Sequence, residues 1–313
     1  MKIVFMGTPL AAVPTLKRII DDGHEVRGVW TQPDRPSGRG KRMTASPVKE
    51  FALEKGLEIF QPEKIRTRAS IDLFRSRDAD AAVVVAYGRI LSKSYLNVFR
   101  FGCINVHFSL LPEYRGAAPV NWAIANGETK TGISTMNMDT GLDTGDILLQ
   151  KETAIGNEEN AIELMDRLAE IGADLLSETL ANIDEIIPVK QDHQKATLAP
   201  ILKKEDGEID WSRSAKDISN RIRGFQPFPR SFTNYDGQKV TIWKGFPVDD
   251  KESIPRSFVS GEVLKANGDD LFVGCGDNSV LGIDELQLEG KRRMRTRDVL
   301  NGVKITRSEF FGS

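Results

Sequence analysis

A chain of 313 residues, 40% hydrophobic and 28% charged, has the balance of a globular protein with room for two domains of ordinary size. Its opening MKIVFMGTP has too few apolar residues before the Gly7–Thr8–Pro9 turn for a signal peptide or a membrane span, and reads as a first strand. The formal net charge is −2, and Cys103 and Cys275 stand far apart with no metal-ligand spacing, which argues against a disulfide framework or a cysteine zinc site and for two inert core thiols.

The first half alternates strand-like apolar runs with helix-like stretches, the pattern of a parallel sheet with helices on its faces. KIVFM, EVRGVWT, LEIF, AAVVVAYG and CINVHF are its strands, and helices fall near residues 10–22, 47–55, 69–77 and 117–126. A dinucleotide fold would need GxGxxG where the first strand is followed by GTP, and a phosphate loop would need Ser or Thr where Arg42 follows Gly40–Lys41. Both nucleotide motifs fail, so chemistry is to be sought at the strand ends, where open α/β sheets bind ligands. Between the second and third strands, residues 35–49 (RPSGRGKRMTASPVK) carry Arg35, Arg39, Lys41, Arg42 and Lys49 with no acid. Such a run alone reads as readily as solvated surface.

The last of these strands leads into INVHFSLLPEYRGAAP, residues 104–119. Side chains repeat every two residues along a strand, so Asn105 and His107 share a face. An amide and a protonated imidazole on one face can both donate to a developing oxyanion. An acid nearby would favour that proton, and the loop MDTGLDTGD offers Asp139, Asp143 and Asp146. Spacing alone serves equally a turn cap beside a loop shaped by aspartates.

Beyond GISTMNM and ILLQKETA, two further strands around that loop, comes a long helix from Asn160 to about Ile183. Periodicity then fades through VKQDHQKATLAPILKKEDGEIDW, which reads as a linker. A short helix near residues 214–223 precedes KVTIWKG, SGEVLKA, DLFVGCG and SVLGIDELQ, the pattern of a small β-barrel. Residues 291–307 carry seven basic residues against Asp298 alone. Two basic runs in separate halves shift the weight toward a polyanionic partner. His24 and His193 are assigned no chemistry, and Trp122, Trp211 and Trp243 read as core packing. The expected fold is α/β, a Rossmann-like mostly parallel sheet with flanking helices, plus a C-terminal OB-like β-barrel domain.

INVHFSLLPEYRGAAPV followed by MDTGLDTGDIL resembles the signature region of the folate-dependent formyltransferases. FMGTP, TQPDRPSGRGK, SPVK, VVVAYGRIL, IDW and RGFQPFP resemble the branch of that family that formylates methionyl-tRNA, and they cover most of both halves. The resemblance implies a catalytic set of Asn105, His107 and Asp143, and contact of Ser109, Leu110, Leu111 and Pro112 with the folate. It implies 10-formyltetrahydrofolate as co-substrate, no metal, and initiator methionyl-tRNA as acceptor. The acceptor would be met by Arg39, Lys41 and Arg42 in the first basic run and by Arg292 and Arg293 in the second. Residues 1–188 are then the formyltransferase catalytic domain, 189–205 a linker and 206–313 an OB-like tRNA-binding domain. The expectation is a cytoplasmic monomer with no membrane partner. Phe108 departs from the family pattern, which has a smaller residue there. An amino-sugar formyltransferase would share the Asn/His/Asp set, and the GRGKR loop with the basic tail disfavours that rival.

Overall fold

The computed structural model describes residues 1–37, 42–249, 255 and 257–312. In chain order, β1 (Lys2–Gly7) is followed by α1 (Val13–Asp21), β2 (Glu25–Trp30), β3 (Arg35–Ser37), β4 (Arg42–Thr44) and α2 (Pro47–Glu54). Next come β5 (Ile59–Phe60), α3 (Arg68–Arg75), β6 (Ala81–Val85), α4 (Lys93–Leu96) and β7 (Cys103–His107). After β8 (Arg115–Gly116) and α5 (Pro119–Ala125), the chain forms β9 (Lys130–Asn137), β10 (Ile147–Ala154), α6 (Ala161–Ala181) and β11 (Leu198–Ala199). The remainder holds α7 (Ala215–Gly224), β12 (Ser231–Tyr235), β13 (Gln238–Pro247), β14 (Val263–Asn267), β15 (Asp270–Gly274), β16 (Val280–Leu288), β17 (Met294–Arg295) and α8 (Thr296–Gly302). These elements gather into two compact units, one of Met1–Pro119, Lys130–Ala154 and Met165–Ala199, the other of Val120–Thr129, Ile155–Leu164 and Pro200–Ser313.

Helix starts follow from local chemistry. Ser46 accepts the Lys49 N–H at 3.1 Å and Pro47 occupies the first turn of α2, where its missing N–H costs nothing. Thr67 caps α3 through the Ser70 N–H at 3.2 Å. At α6, Asn160 Oδ1 accepts from the N–H groups of Ile162 and Glu163 while Glu163 Oε2 accepts from that of Asn160, a reciprocal box that fixes the first turn.

The first unit is built on a seven-stranded sheet in the order β10-β9-β7-β6-β1-β2-β5. β5, β2, β1, β6 and β7 run parallel, whereas β9 is antiparallel to β7 and β10 antiparallel to β9. Every residue of β6 and β7 is buried, as expected of central parallel strands covered on both faces. The core holds Trp30, which stacks on Phe60 with centroids 4.3 Å apart and meets the edge of Phe74 at 5.4 Å.

The stretch 189–205, a linker by sequence, belongs to this unit through Ala199. Val189 and Ile147 exchange two backbone hydrogen bonds of 2.8 Å, and β11 lies parallel to β8. These are main-chain pairings, which need no apolar periodicity, so the sequence pattern gives no sign of them.

The second unit carries an antiparallel sheet in the order β12-β13-β16-β15-β14, with β17 on β16, the strand content of the expected OB-like domain. Its core joins Trp211, Ile218, Ile222, Val240, Ile242, Val273, Leu281 and Leu286. A Cβ on Gly224, the last residue of α7, would lie 2.7 Å from Asn121 O and 2.8 Å from Ala125 N, so α5 and α7 approach as closely as they do because that residue is glycine. Part of the second basic run is not plain surface: Thr296 and Val299 of α8 are buried.

Candidate active site

Asn105 and His107 are polar residues inside a fully buried strand, 8% and 5% exposed. Register fixes them: Asn105 sits between Val84 of β6 and Met136 of β9, and His107 opposite Ser134. His107 Nε2 lies 3.0 Å from the carbonyl of Tyr114. A carbonyl only accepts, so this nitrogen carries the proton and Nδ1 is the ring atom left for chemistry. Nδ1 faces Asp143 Oδ2 at 3.8 Å, within ion-pair reach and beyond hydrogen-bond length. The same Oδ2 accepts the Gly116 N–H at 2.8 Å. The Asn105 amide makes no hydrogen bond among the described residues, and its donors are available to a third party.

Of the three loop aspartates, only Asp143 approaches the imidazole. Asp139 Oδ1 accepts from the Gly141 N–H and the Thr144 hydroxyl, closing the turn, and Asp146 is bound through its backbone to Asn137. Asp143 adopts φ +51°, a left-handed conformation that Asp tolerates better than most residues. A Cβ on Gly145 would stand 1.8 Å from Asn137 O, so this turn depends on glycine.

The segment 109–112 is held from below. Ser134 Oγ donates to Ser109 O at 2.7 Å and accepts the Leu111 N–H at 3.0 Å, while Gln150 Nε2 donates to Leu111 O at 3.0 Å. Leu111 packs in a small core with Met136 and Ile147, and Ser109 is also buried. Leu110 and Pro112 are half-buried and offer the accessible apolar surface of this segment. Phe108 is buried.

The basic residues divide. Arg39 and Lys41 lie outside the described residues, and Arg42 lies on β4, paired through its backbone with β3. Lys49, counted in the same run, is neutralised by Asp34 at 2.6 Å. Arg292 is exposed and has no ion pair among the described residues, whereas Arg293 pairs with Glu285. Trp243 departs from its core reading: it is half-buried, with the guanidinium groups of Arg230 and Arg293 4.5 and 4.8 Å from its ring centre. Trp211 is buried, whereas Trp122 is half-buried like Trp243 and packs edge-on to the buried Phe225 at 5.4 Å. His24 pairs with the N-terminal amine at 3.0 Å. Sequence reasoning missed Gln191 and Arg115, both buried beside Asp143; neither carries a spacing signal. Among the described residues no cluster of His, Cys, Asp and Glu is arranged to hold a metal ion, and no helix is long and apolar enough to cross a membrane.

Known proteins share this chain's sequence and fold. The sequence matches the formyl transferase family over residues 1–180 and the formyl transferase C-terminal domain over residues 201–304. It is 49% identical to the methionyl-tRNA formyltransferase of Solibacter usitatus, covering 100% of this chain and 99% of that one. With the methionyl-tRNA formyltransferase of Alkaliphilus oremlandii the identity is 48% over the full length of both. Among solved structures, the sugar 3N-formyl transferase WlaRD shares the fold at a TM-score of 0.67 and 18% identity, over 93% of this chain and 99% of that one. A methionyl-tRNA formyltransferase from Clostridium thermocellum aligns at 0.57 and 21% identity, over 80% and 95%.

Proposed function

The chain belongs to the formyl transferase family, and from that premise we propose that Asn105, His107 and Asp143 carry out its formyl transfer. The reaction moves a formyl group from 10-formyltetrahydrofolate to the α-amino group of methionine on initiator methionyl-tRNA, for translation initiation. What most supports the three-residue reading is a buried strand that spends two positions on an amide and an imidazole, with the Asp143 carboxylate 3.8 Å from His107 Nδ1.

The chemistry follows from what each group can do. The amine nitrogen adds to the formyl carbon, and negative charge grows on the formyl oxygen. Asn105 donates its amide N–H to that oxygen, and His107, protonated at Nδ1, donates a second. Asp143 faces that nitrogen and helps relay the proton leaving the amine to the departing N10 of the folate. The Tyr114 carbonyl and the Gly116 N–H keep the imidazole and the carboxylate aimed. The segment Ser109–Pro112 meets the folate: Leu110 and Pro112 present their accessible apolar surface to the flat pterin, the buried Leu111 and Ser109 back them, and backbone groups of the loop read its edge.

For tRNA, Arg39, Lys41 and Arg42 meet the acceptor end, and Arg292 and Arg293 contact phosphates, which position the substrate without identifying it. Residues 1–188 serve as the catalytic domain and 206–313 as the tRNA-binding domain, in a monomer working in the cytoplasm, where charged tRNA is used. Incubation with 10-formyltetrahydrofolate and charged initiator tRNA, in parallel with an aminated nucleotide sugar, tests the reading. Formyl-methionyl-tRNA alone supports it, and formylated sugar overturns it. Light scattering checks the monomer.

A further inference from the structure

We propose that Gln191, in the stretch that reads as a linker, is a positioning residue for the transfer and acts through Asp143. The proposal rests on the assignment of Asp143 and His107 to catalysis.

The Gln191 side chain is buried and its polar atoms are fully used. Nε2 donates to Asp143 O at 2.9 Å and to Gly145 O at 2.7 Å. Oε1 accepts from Arg115 Nε at 3.0 Å and Nη2 at 2.6 Å. The amide orientation is set by these partners: reversed, it would turn its oxygen on two carbonyls and its N–H groups on a guanidinium that can only donate. With two donors and two lone pairs spent, nothing of Gln191 remains to touch substrate. Its role is therefore to tie together the two backbone segments that fix the Asp143 carboxylate. One is the loop 143–145, where Asp143 holds its left-handed backbone; the other is β8, whose Gly116 N–H binds Oδ2 at 2.8 Å.

The residues just beyond Gln191 complete the support. Thr197 Oγ1 accepts the Tyr114 N–H at 2.8 Å and Thr197 O accepts the Arg115 N–H at 2.9 Å. Tyr114 in turn presents the carbonyl that meets His107 Nε2. One short segment thus braces both partners of the 3.8 Å pair from behind. Removing the Gln191 donors would leave the buried Gly145 carbonyl and the part-buried Asp143 carbonyl without this partner and free the loop to shift. A displacement of about 1 Å at a catalytic group can cost up to roughly 10²-fold in rate.

The test uses Gln191→Glu, which keeps the acceptor for Arg115 and turns a carboxylate oxygen toward the two carbonyls. Gln191→Met removes the donors without adding charge and serves if the first variant does not fold. Each is measured on the full chain beside Asp143→Asn and the double variant, with circular dichroism to confirm folding. The expected result is a kcat lower by about 10- to 100-fold with KM for folate and for tRNA within about twofold. The double variant should be no slower than Asp143→Asn alone. A folded variant with wild-type kcat, or a loss in the double variant equal to the product of the single losses, overturns the role of Gln191. Wild-type turnover in Asp143→Asn itself overturns the catalytic assignment, and this proposal with it.

Discussion

The end of β7 and the surface around Trp243 treat polar groups in opposite ways. At β7, Asn105 and His107 are buried and their neighbours are bound in turn, down to Gln191 with every hydrogen-bonding position filled. Around Trp243, the guanidinium groups of Arg230 and Arg293 lie over a half-buried ring, and Arg292 stands in solvent. Stabilising a charge that exists only during reaction requires donors already aimed, in a setting water does not screen. Holding a polyanion requires only charge on the outside, since counterion release supplies the free energy. Position matters in the first region and number in the second.

The sharpest way to break that contrast is to remove the aimed groups. Asn105→Ala should lower turnover by about 10²–10³-fold and His107→Ala by at least as much, with tRNA affinity unchanged. Single-turnover formylation beside a binding assay checks both, and near-normal turnover in either variant would erase the distinction. Asp143→Asn, one step removed from the oxyanion, should cost on the order of 10²-fold in kcat.

Changes in the second region should be graded. Arg292→Ala should reduce the slope of log affinity against log salt by about one unit, as expected for one exposed phosphate contact. Arg293→Ala should reduce it by less, because Glu285 already offsets that charge. Equal slopes for the two variants would mean that the ion pair opens when tRNA binds.

The smallest effect concerns the thiols, one in each region's core. Burial raises Cys103 and Cys275 from the ordinary 9.0 to about 12. A thiol reagent at neutral pH should label neither in the folded protein and both in denaturant. Because the folded values are raised, the unfolded chain releases these protons first. The thiols' contribution to stability is full below 9.0 and declines as pH climbs toward about 12.

Much of this was legible in advance. AAVVV and CINVH announce buried strands because both faces are apolar, and Asn105 and His107 stand out as exceptions to that rule. The antiparallel course of β9 and β10 was not legible, since apolar runs carry no direction. Gln191 was hidden for a different reason: it binds backbone carbonyls and a guanidinium far away in sequence, so neither its own neighbours nor its partners' identities betray it. Trp243 was misread because a strand facing solvent on one side can display a tryptophan as readily as bury it, and only its place in the sheet decides.

The pairing of β11 with β8 also bears on how such genes can recombine. A crossover at residue 180, where the match to the family's N-terminal region ends, or at 188 would take the Asp143 loop from one parent and the segment carrying Gln191 and Thr197 from another. A crossover after Ala199 inherits them together. Hybrids joined at the earlier points would combine a loop and a brace that had never been selected side by side, and those joined at the later one would keep each matched pair intact.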